Sequence, residues 1–155
     1  MKKPLYIFDL DGTIALIEHR RKIISDKGDP QRWRKFYQLC NEDEPNIPVI
    51  QTMEKLRQSG ADIWFFSGRS AEVRDKTVAW LAQHTSFMSF DLDEILVMRE
   101  IGDCTPDDVL KEQWLESMLL QDRERLVAVF DDRDRVVDMW RKNGIQCFQV
   151  AKGDF

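Results

Sequence analysis

Cysteine and histidine are scarce in this sequence. Its 155 residues include three cysteines and two histidines. Cys40, Cys104 and Cys147 match no zinc-binding or redox spacing, and an odd number of widely separated cysteines favours free thiols in a reducing compartment. With only His19 and His84 available, a zinc site or a serine–histidine triad is not expected.

Long apolar runs and an excess of positive charge are also missing. No segment approaches the roughly 20 apolar residues that a membrane-spanning helix needs, and Asp9 and Asp11 interrupt the first apolar run too early for a signal peptide. The net charge of −5 argues against tight non-specific binding to nucleic acid but leaves room for a local basic patch. We therefore expect a cytoplasmic protein without membrane association.

What the sequence does contain is a regular alternation of short apolar runs and helical periods. Runs that are apolar throughout are typical of strands buried on both faces, as in a parallel sheet. Five such runs predict strands at residues 5–8, 63–66, 95–98, 127–130 and 147–150. Their alternation with helices predicts a single α/β domain over residues 1–155, built on a doubly wound, mainly parallel sheet.

The helices between these strands have recognisable ends. Capping residues, a proline at the first helical position and a glycine after the last turn mark them. The predicted ends are Pro48 and Gly60 for the first helix, Ser70 for the start of the second, Thr105 for the start of the third, whose apolar stripe reaches Leu119, and Asn143-Gly144 for the end of the last.

Residues 14–47 break the alternation. Trp33, Phe36, Tyr37 and Cys40 follow the i, i+3, i+4, i+7 spacing of a short amphipathic helix. This spacing favours burial of the aromatic side chains over base stacking. The segment follows the first strand, and ligands in open α/β sheets bind at the carboxyl ends of the strands. We therefore interpret it as a small insert that serves as a lid.

Polar residues that can carry chemistry follow four of the predicted strands. They are Asp9-Leu10-Asp11-Gly12-Thr13, Ser67-Gly68-Arg69, Lys111 in the helix after the third strand, and Asp131-Asp132-Arg133. Parallel strands end at one edge of the sheet, so these groups should meet there. Two negative charges about 4 Å apart repel by on the order of 4 kcal/mol at an effective dielectric constant of about 20. A divalent cation and Lys111 would offset this repulsion, so the set favours Mg²⁺ and phosphoryl transfer.

In their order, these motifs resemble the four motifs of the haloacid-dehalogenase (HAD) superfamily. The stretch from Met98 to Phe155, with MREIGDCTPDDVLKEQWL and FDDRDRVVDMWRKNGIQCFQVAKGDF, is similar to the phosphatase domain of phage polynucleotide kinase/3′-phosphatase. The resemblance implies a HAD Rossmann-like fold and a magnesium-dependent phosphomonoesterase. The spacing between Asp9 and Ser67 exceeds that of the phage domain, so the lid and substrate access are expected to differ.

The resemblance also implies roles for individual residues. Asp9 would be the nucleophile of an aspartyl-phosphate intermediate and Asp11 the general acid and base. The metal ligands would be Asp9, Asp11 through its backbone carbonyl, and Asp131 and Asp132. The resemblance does not indicate which of Asp131 and Asp132 binds the ion directly. The substrate phosphate would be held by Lys111, Ser67, Gly68, Arg69, Arg20 and Asp107. Alternatively, Asp107 only favours a helix amino end, while Arg133 and Arg135 are expected to be surface ion-pair partners.

The substrate is less well defined by the sequence than the chemistry. The leading interpretation is removal of 3′-phosphates from DNA or RNA ends. The alternatives are a nucleotidase or other small-molecule phosphatase, and a non-catalytic binding domain, which the presence of both Asp9 and Asp11 disfavours. The sequence has no GxxxxGK[ST] motif, so a kinase or ligase partner would be a separate chain. The resemblance favours a phage or bacterial source.

Overall fold

Five parallel strands form the central sheet of this computed structural model, which describes residues 2–155. In chain order the strands are β1 (Leu5–Phe8), β2 (Ala15–Leu16), β3 (Glu44–Pro45), β4 (Asp62–Ser70), β5 (Leu96–Arg99), β6 (Leu126–Asp131) and β7 (Cys147–Gln149). The sheet has the order β5-β4-β1-β6-β7, and β2 and β3 form a separate antiparallel pair. All five predicted strands and the doubly wound α/β class are confirmed.

Helices cover both faces of the sheet. They are α1 (Glu18–Ser25), α2 (Arg32–Gln38), α3 (Ile47–Gln58), α4 (Arg74–His84), α5 (Ser89–Ile95), α6 (Asp107–Ser117), α7 (Leu120–Arg125) and α8 (Asp134–Lys142), with 3₁₀ turns at Cys40–Glu42 and Ala71–Val73. Within residues 2–155, no helix combines the length and the apolar character needed to cross a bilayer.

The hydrophobic core is divided by the sheet into two parts. Because successive side chains of a strand point to opposite faces, Phe8 of β1 joins one part and Ile7 the other. Trp80 of α4 fills the first part and Trp140 of α8 the second, and both are fully buried. Burying a large apolar side chain contributes about 1.5–3 kcal/mol, so the core fixes β1 firmly in the centre of the sheet.

The predicted third helix is wrong at both ends. It begins at Asp107, because the Thr105 hydroxyl donates to Asp103 Oδ1 (2.6 Å) and does not cap the helix. It ends at Ser117, and a second helix, α7, begins at Leu120, so Leu119 is exposed and is not part of a buried stripe. Ser70 caps the 3₁₀ turn that precedes α4, accepting a hydrogen bond from Glu72 N.

The insert contains more structure than the single helix expected for it. Residues 14–47 form α1, α2 and a 3₁₀ turn, and the pairing of β2 with β3 brings the two ends of the insert together. Phe36 and Cys40 are buried as predicted, whereas Trp33 remains 39% exposed. The insert therefore packs on the carboxyl edge of the sheet but keeps one aromatic side chain at the surface.

Candidate active site

The loop after β1 makes a tight turn against the end of β6. Three consecutive backbone amides, those of residues 13–15, donate to Leu10 O. Gly12 has a φ of +82°, and a Cβ at this position would lie 2.0 Å from Asp132 Oδ2. Glycine is therefore required here both by its backbone conformation and by the close approach of Asp132.

Lys111 connects the loop after β1 to the end of β6. It is buried, and its Nζ donates to Asp9 Oδ1 (2.7 Å) and to Asp131 Oδ2 (2.8 Å). The other Asp9 oxygen accepts from Thr13 Oγ1 at 3.3 Å. Burial alone would lower the pKa of Lys111, but Asp131 and Asp9 outweigh it and raise the pKa. Lys111 is thus a fixed positive charge beside Asp9.

Three buried carboxylates form a cluster that fits a hard cation. Asp9, Asp131 and Asp132 each offer an oxygen, and these oxygens lie within 4.8 Å of one another. Burial raises the pKa of Asp132 to about 7, with a further contribution from Asp131 and an opposing one from Lys111. Burial also raises the pKa of Asp9. Burial, and to a smaller extent the neighbouring carboxylates, disfavour the charged forms of Asp9 and Asp132, and a divalent cation would offset both effects.

The two aspartates at the end of β6 differ in their hydrogen bonding. Asp131 Oδ1 accepts from the backbone amides of Asp132 (2.9 Å) and Arg133 (3.3 Å), and its Oδ2 accepts from Lys111. Asp132 Oδ2 is buried and has no hydrogen-bond partner among residues 2–155. A buried carboxylate oxygen without a partner is costly, so Asp132 is the oxygen donor still available to a cation.

Asp11 sits in a buried network of ion pairs. Its Oδ1 accepts from Arg20 Nη2 and Arg69 Nε, both at 2.7 Å, and both guanidinium groups are fully buried. Asp43 lies behind them and accepts from Arg20 Nε (2.7 Å) and Arg69 Nη2 (2.9 Å). Burial alone would raise the pKa of Asp11, but Arg69 and Arg20 outweigh it and lower the pKa. Asp11 is therefore ionised in this arrangement.

This network differs from the phosphate-binding role predicted for Arg20 and Arg69. The remaining nitrogens of the two side chains donate to Phe36 O (3.2 Å) and Thr77 Oγ1 (3.2 Å). No nitrogen of either guanidinium group is left without an acceptor. Both groups are also sealed from solvent, so the structure places them behind Asp11, with all their nitrogens already donating to protein oxygens.

Asp107 and Gly68 form the neighbouring part of the site. Asp107 at the start of α6 pairs with Arg99, and its Oδ2 accepts from Arg133 Nη1 at 2.5 Å. A Cβ at Gly68 would lie 2.7 Å from Asp107 Oδ1. Tyr37 from the insert donates to Gly68 O at 3.2 Å. Asp107 therefore orients two arginines at this end of the site, and Gly68 is the residue that allows its approach.

Most of the predicted site residues line one cavity under the insert. Those in its wall are Asp9, Asp11, Gly68, Asp107, Lys111, Asp131 and Asp132. Arg20, Arg69 and Ser67 are not in the wall, and Ser67 Oγ accepts from Arg69 N at 3.2 Å. The centre of a water-sized sphere can occupy only ≈ 40 Å³ there, whereas ligand pockets usually measure about 300–1,000 Å³. A cavity of this size is too small for a nucleotide.

Sequence reasoning missed several residues of this site. Arg133 lines the cavity and was expected to be a surface residue; its position directly after the second acid pair was the available signal. Asp43, Arg99 and Tyr37 were not identified as site residues. Asp43 gave no signal, because it lies in the insert and only the folded chain brings it beside Arg20.

Comparison with known proteins places this geometry in a family. Residues 3–155 match the model of the polynucleotide kinase PNKP phosphatase domain. A protein of Autographa californica nuclear polyhedrosis virus, described as a candidate bifunctional polynucleotide kinase/RNA ligase, is 32% identical over 137 residues. That match covers 86% of this chain and 17% of the viral protein, so the chain spans about a sixth of its relative.

Solved structures agree with this result. A chain of the Pnkp1/Rnl/Hen1 RNA repair complex has a TM-score of 0.76 and 32% identity, and the match covers 99% of this chain and 44% of that one. The class C acid phosphatase of Bacillus anthracis has a TM-score of 0.68 at 16% identity, covering 99% of this chain and 68% of the other, and it shares the fold. The chain belongs to the polynucleotide kinase PNKP phosphatase domain family, of HAD type, and its class of activity is phosphomonoester hydrolysis.

Proposed function

We propose that this chain is a Mg²⁺-dependent phosphatase that removes 3′-phosphates from DNA or RNA ends through an aspartyl-phosphate at Asp9. The observation that carries the proposal is the placement of Asp9, whose carboxylate lies in the cavity wall with its orientation fixed by Lys111 and Thr13. A fixed carboxylate beside a permanent positive charge suits nucleophilic attack on a phosphorus atom that carries negative oxygens.

In the first step an Asp9 oxygen bonds to phosphorus while the bond from phosphorus to the leaving oxygen breaks. In the second step water attacks the same phosphorus, inorganic phosphate leaves and the Asp9 carboxylate is restored. Lys111 and Arg133 are the cations in the cavity wall that would bind the phosphoryl oxygens. Arg133 suits this task because its Nη2 donates to no acceptor among residues 2–155.

Asp11 would transfer the protons in both steps. It would donate a proton to the leaving oxygen and take one from the attacking water. Its ionised state fits the second task directly. For the first task the proton has to reside on Oδ2, because Arg20 and Arg69 both contact Oδ1. We propose that the two arginines, held by Asp43, position Asp11 and do not touch the substrate.

The cluster of Asp9, Asp131 and Asp132 would hold Mg²⁺, with Asp132 as the direct ligand from the second acid pair because Asp131 is already occupied by Lys111 and two amides. When bound, Mg²⁺ supplies charge neutralisation for the phosphoryl group and for the acid cluster. The backbone carbonyl of Asp11 is the further ligand expected from the sequence.

The insert would act as a lid over this site. It contributes Ile17, Ile24, Trp33, Phe36 and Tyr37 to the cavity wall, and the cavity is too small for a nucleotide with the insert in place. Entry of a whole nucleotide into the cavity would therefore require the insert to move away from the sheet edge. Such closure excludes water while the phosphoryl group is transferred.

The preference for polynucleotide ends is supported by the family and by the names of the relatives, a polynucleotide kinase/RNA ligase and an RNA repair complex, and the choice of the 3′-end rests on the resemblance of residues 98–155 to the phage 3′-phosphatase domain. The same relatives support a kinase or ligase partner, supplied by another chain or by a further part of a longer protein. The cytoplasmic location and the phage or bacterial source stay predictions.

A substrate panel tests this proposal. We expect hydrolysis of a 3′-phosphorylated oligonucleotide to exceed that of the matching 5′-phosphorylated one, to stop in EDTA and to return with Mg²⁺ but poorly with Ca²⁺. Better turnover of free mononucleotides, with equal rates on both oligonucleotide ends, would favour the nucleotidase. If folded protein with Mg²⁺ hydrolyses no phosphate monoester, the remaining interpretation is a non-catalytic binding domain.

A further inference from the structure

A second depression continues outward from the cavity. This groove lies between α2 of the insert, the loop after β5 and the start of α8, and it has a volume of ≈ 700 Å³. Trp33, Tyr37, Asp107 and Arg133 line both the groove and the cavity. A molecule whose terminal phosphate lies beside Asp9 would therefore continue into the groove.

The groove is basic although the chain as a whole is acidic. Five arginines and three acidic residues line it, in a chain of net charge −5. Arg34 is exposed, and within residues 2–155 its one ion-pair partner is Glu72 (2.7 Å), a kind of surface pair that is weak and readily exchanged. Arg135 is exposed and forms no ion pair with any carboxylate of residues 2–155. Both side chains are free to bind phosphate groups bidentately.

Trp33 gives the groove an aromatic surface. Its ring packs against Phe36 (5.9 Å between centroids, interplanar angle 87°) and against Tyr37 (6.0 Å, 30°). These contacts hold the ring in place, although 39% of the residue is exposed. A fixed and partly exposed tryptophan among arginines is the combination with which proteins bind single strands, since any unpaired base can stack on it.

We propose that the groove binds the last nucleotides of a single-stranded polynucleotide, with a base stacked on Trp33 and backbone phosphates paired with Arg34 and Arg135. This inference rests on the function proposed above and adds its substrate class, because a base can stack on Trp33 only when it is not stacked within a duplex. The groove, and not the catalytic cavity, would distinguish a polynucleotide from a small phosphate ester.

Kinetics with two substrates test the role of Trp33. One substrate is a 3′-phosphorylated single-stranded tetranucleotide and the other is p-nitrophenyl phosphate, which has no nucleobase and no second phosphate group. Base stacking corresponds to about 5- to 150-fold in affinity. We expect Trp33→Ala to lower the ratio of the two kcat/KM values (oligonucleotide over aryl phosphate) by that factor, and Trp33→Phe to restore most of it. Phe90→Ala is the matched control, because Phe90 is an exposed aromatic residue of α5 that lines a separate depression beside the amino end of β4; it should leave the ratio unchanged.

Salt dependence tests the arginines. Binding of the same oligonucleotide is measured by fluorescence anisotropy with Asp9→Asn protein, which does not consume it. Each phosphate contact contributes about 0.7 to the slope of log K against log salt for single strands, so Arg135→Ala should flatten the slope by about that amount. Arg123→Ala is the control, because it removes the same charge from an exposed residue of α7, the helix that leads into the amino end of β6. The groove lies at the carboxyl ends of the strands, so this variant should leave the slope unchanged.

The outcomes separate this inference from the proposed function. Tighter binding of the single strand than of a blunt duplex with the same end, together with the two expected losses, supports the groove. Unchanged ratios and slopes in Trp33→Ala and Arg135→Ala, or equal binding of the duplex, overturn it even when the enzyme hydrolyses both substrates. Absence of any hydrolysis by folded wild-type protein with Mg²⁺ would instead contradict the proposed function.

Discussion

Replacing Asp43 with asparagine tests whether the buried ion-pair network depends on a residue that does not line the cavity. Asn keeps the size of the side chain but removes its charge, so Arg20 and Arg69 would share only Asp11. All four hydrogen bonds to the Asp43 carboxylate are short, at 2.5–2.9 Å, and come from Arg20, Arg69 and His19. Removing one partner from a buried ion pair costs about 3–5 kcal/mol.

This cost is a large part of the 5–15 kcal/mol that usually separates folded from unfolded protein. For a chain of this size each 1 kcal/mol shifts the melting temperature by roughly 2–4 °C, so Asp43→Asn should lower it by roughly 6–20 °C. Glu124→Gln removes an equal charge from a surface pair with Lys2 that is more than half exposed, and it should change stability by at most about 1 kcal/mol.

The measurement is urea unfolding of both variants, followed by kcat/KM at a temperature where each is folded. We expect Asp43→Asn to be less active as well as less stable, because Arg20 and Arg69 would no longer be held in place and could no longer orient Asp11. A free energy of unfolding within about 1 kcal/mol of wild type would refute the view that Asp43 holds the arginines in place.

Three further predictions concern the metal and the phosphate. In the folded protein the pKa of Asp132 is raised from 3.8 to about 7. Its contribution to folding stability is therefore present at low pH and is lost as the pH rises from 3.8 through about 7. Thermal unfolding should show that Mg²⁺ stabilises the protein more above this pH range than below it, and equal shifts in melting temperature would contradict the cluster as the Mg²⁺ site. Gly12→Ala should cost roughly 1–3 kcal/mol and weaken Mg²⁺ binding in titration calorimetry, since its Cβ meets Asp132; unchanged binding would contradict that contact. Arg133→Ala should lower kcat/KM about 10- to 150-fold if Arg133 binds phosphate, and Arg133→Lys should recover part of it; wild-type kinetics would remove Arg133 from the site.

The sheet and the convergence of its loops could be predicted from the sequence. Runs such as Leu5–Phe8 are apolar on both faces, which is typical of strands in the middle of a parallel sheet. In a parallel sheet the carboxyl ends of all strands lie at the same edge, so the loops that follow them converge there. This placed Asp9, Lys111 and Asp131 together, where the structure joins them by hydrogen bonds.

The partners of the arginines could not be predicted in the same way. Arg20 and Asp43 lie at the two ends of the insert, and they meet only because β2 pairs with β3. Trp33 follows the same periodic spacing as Phe36, yet it lies at the cavity mouth and not in the core. Periodicity identifies the apolar face of a helix, but the surface against which that face packs depends on tertiary structure.

Trapping the phosphoryl group on Asp9 tests the proposed mechanism most directly. Wild-type protein is mixed with a 3′-phosphorylated oligonucleotide and Mg²⁺, quenched in acid during the first turnover, digested and examined by mass spectrometry. We predict one phosphoryl group on the peptide that contains Asp9, none in EDTA, and none in folded Asp9→Asn protein. Turnover without phosphorylation of Asp9, or phosphorylation of another residue, would contradict the account.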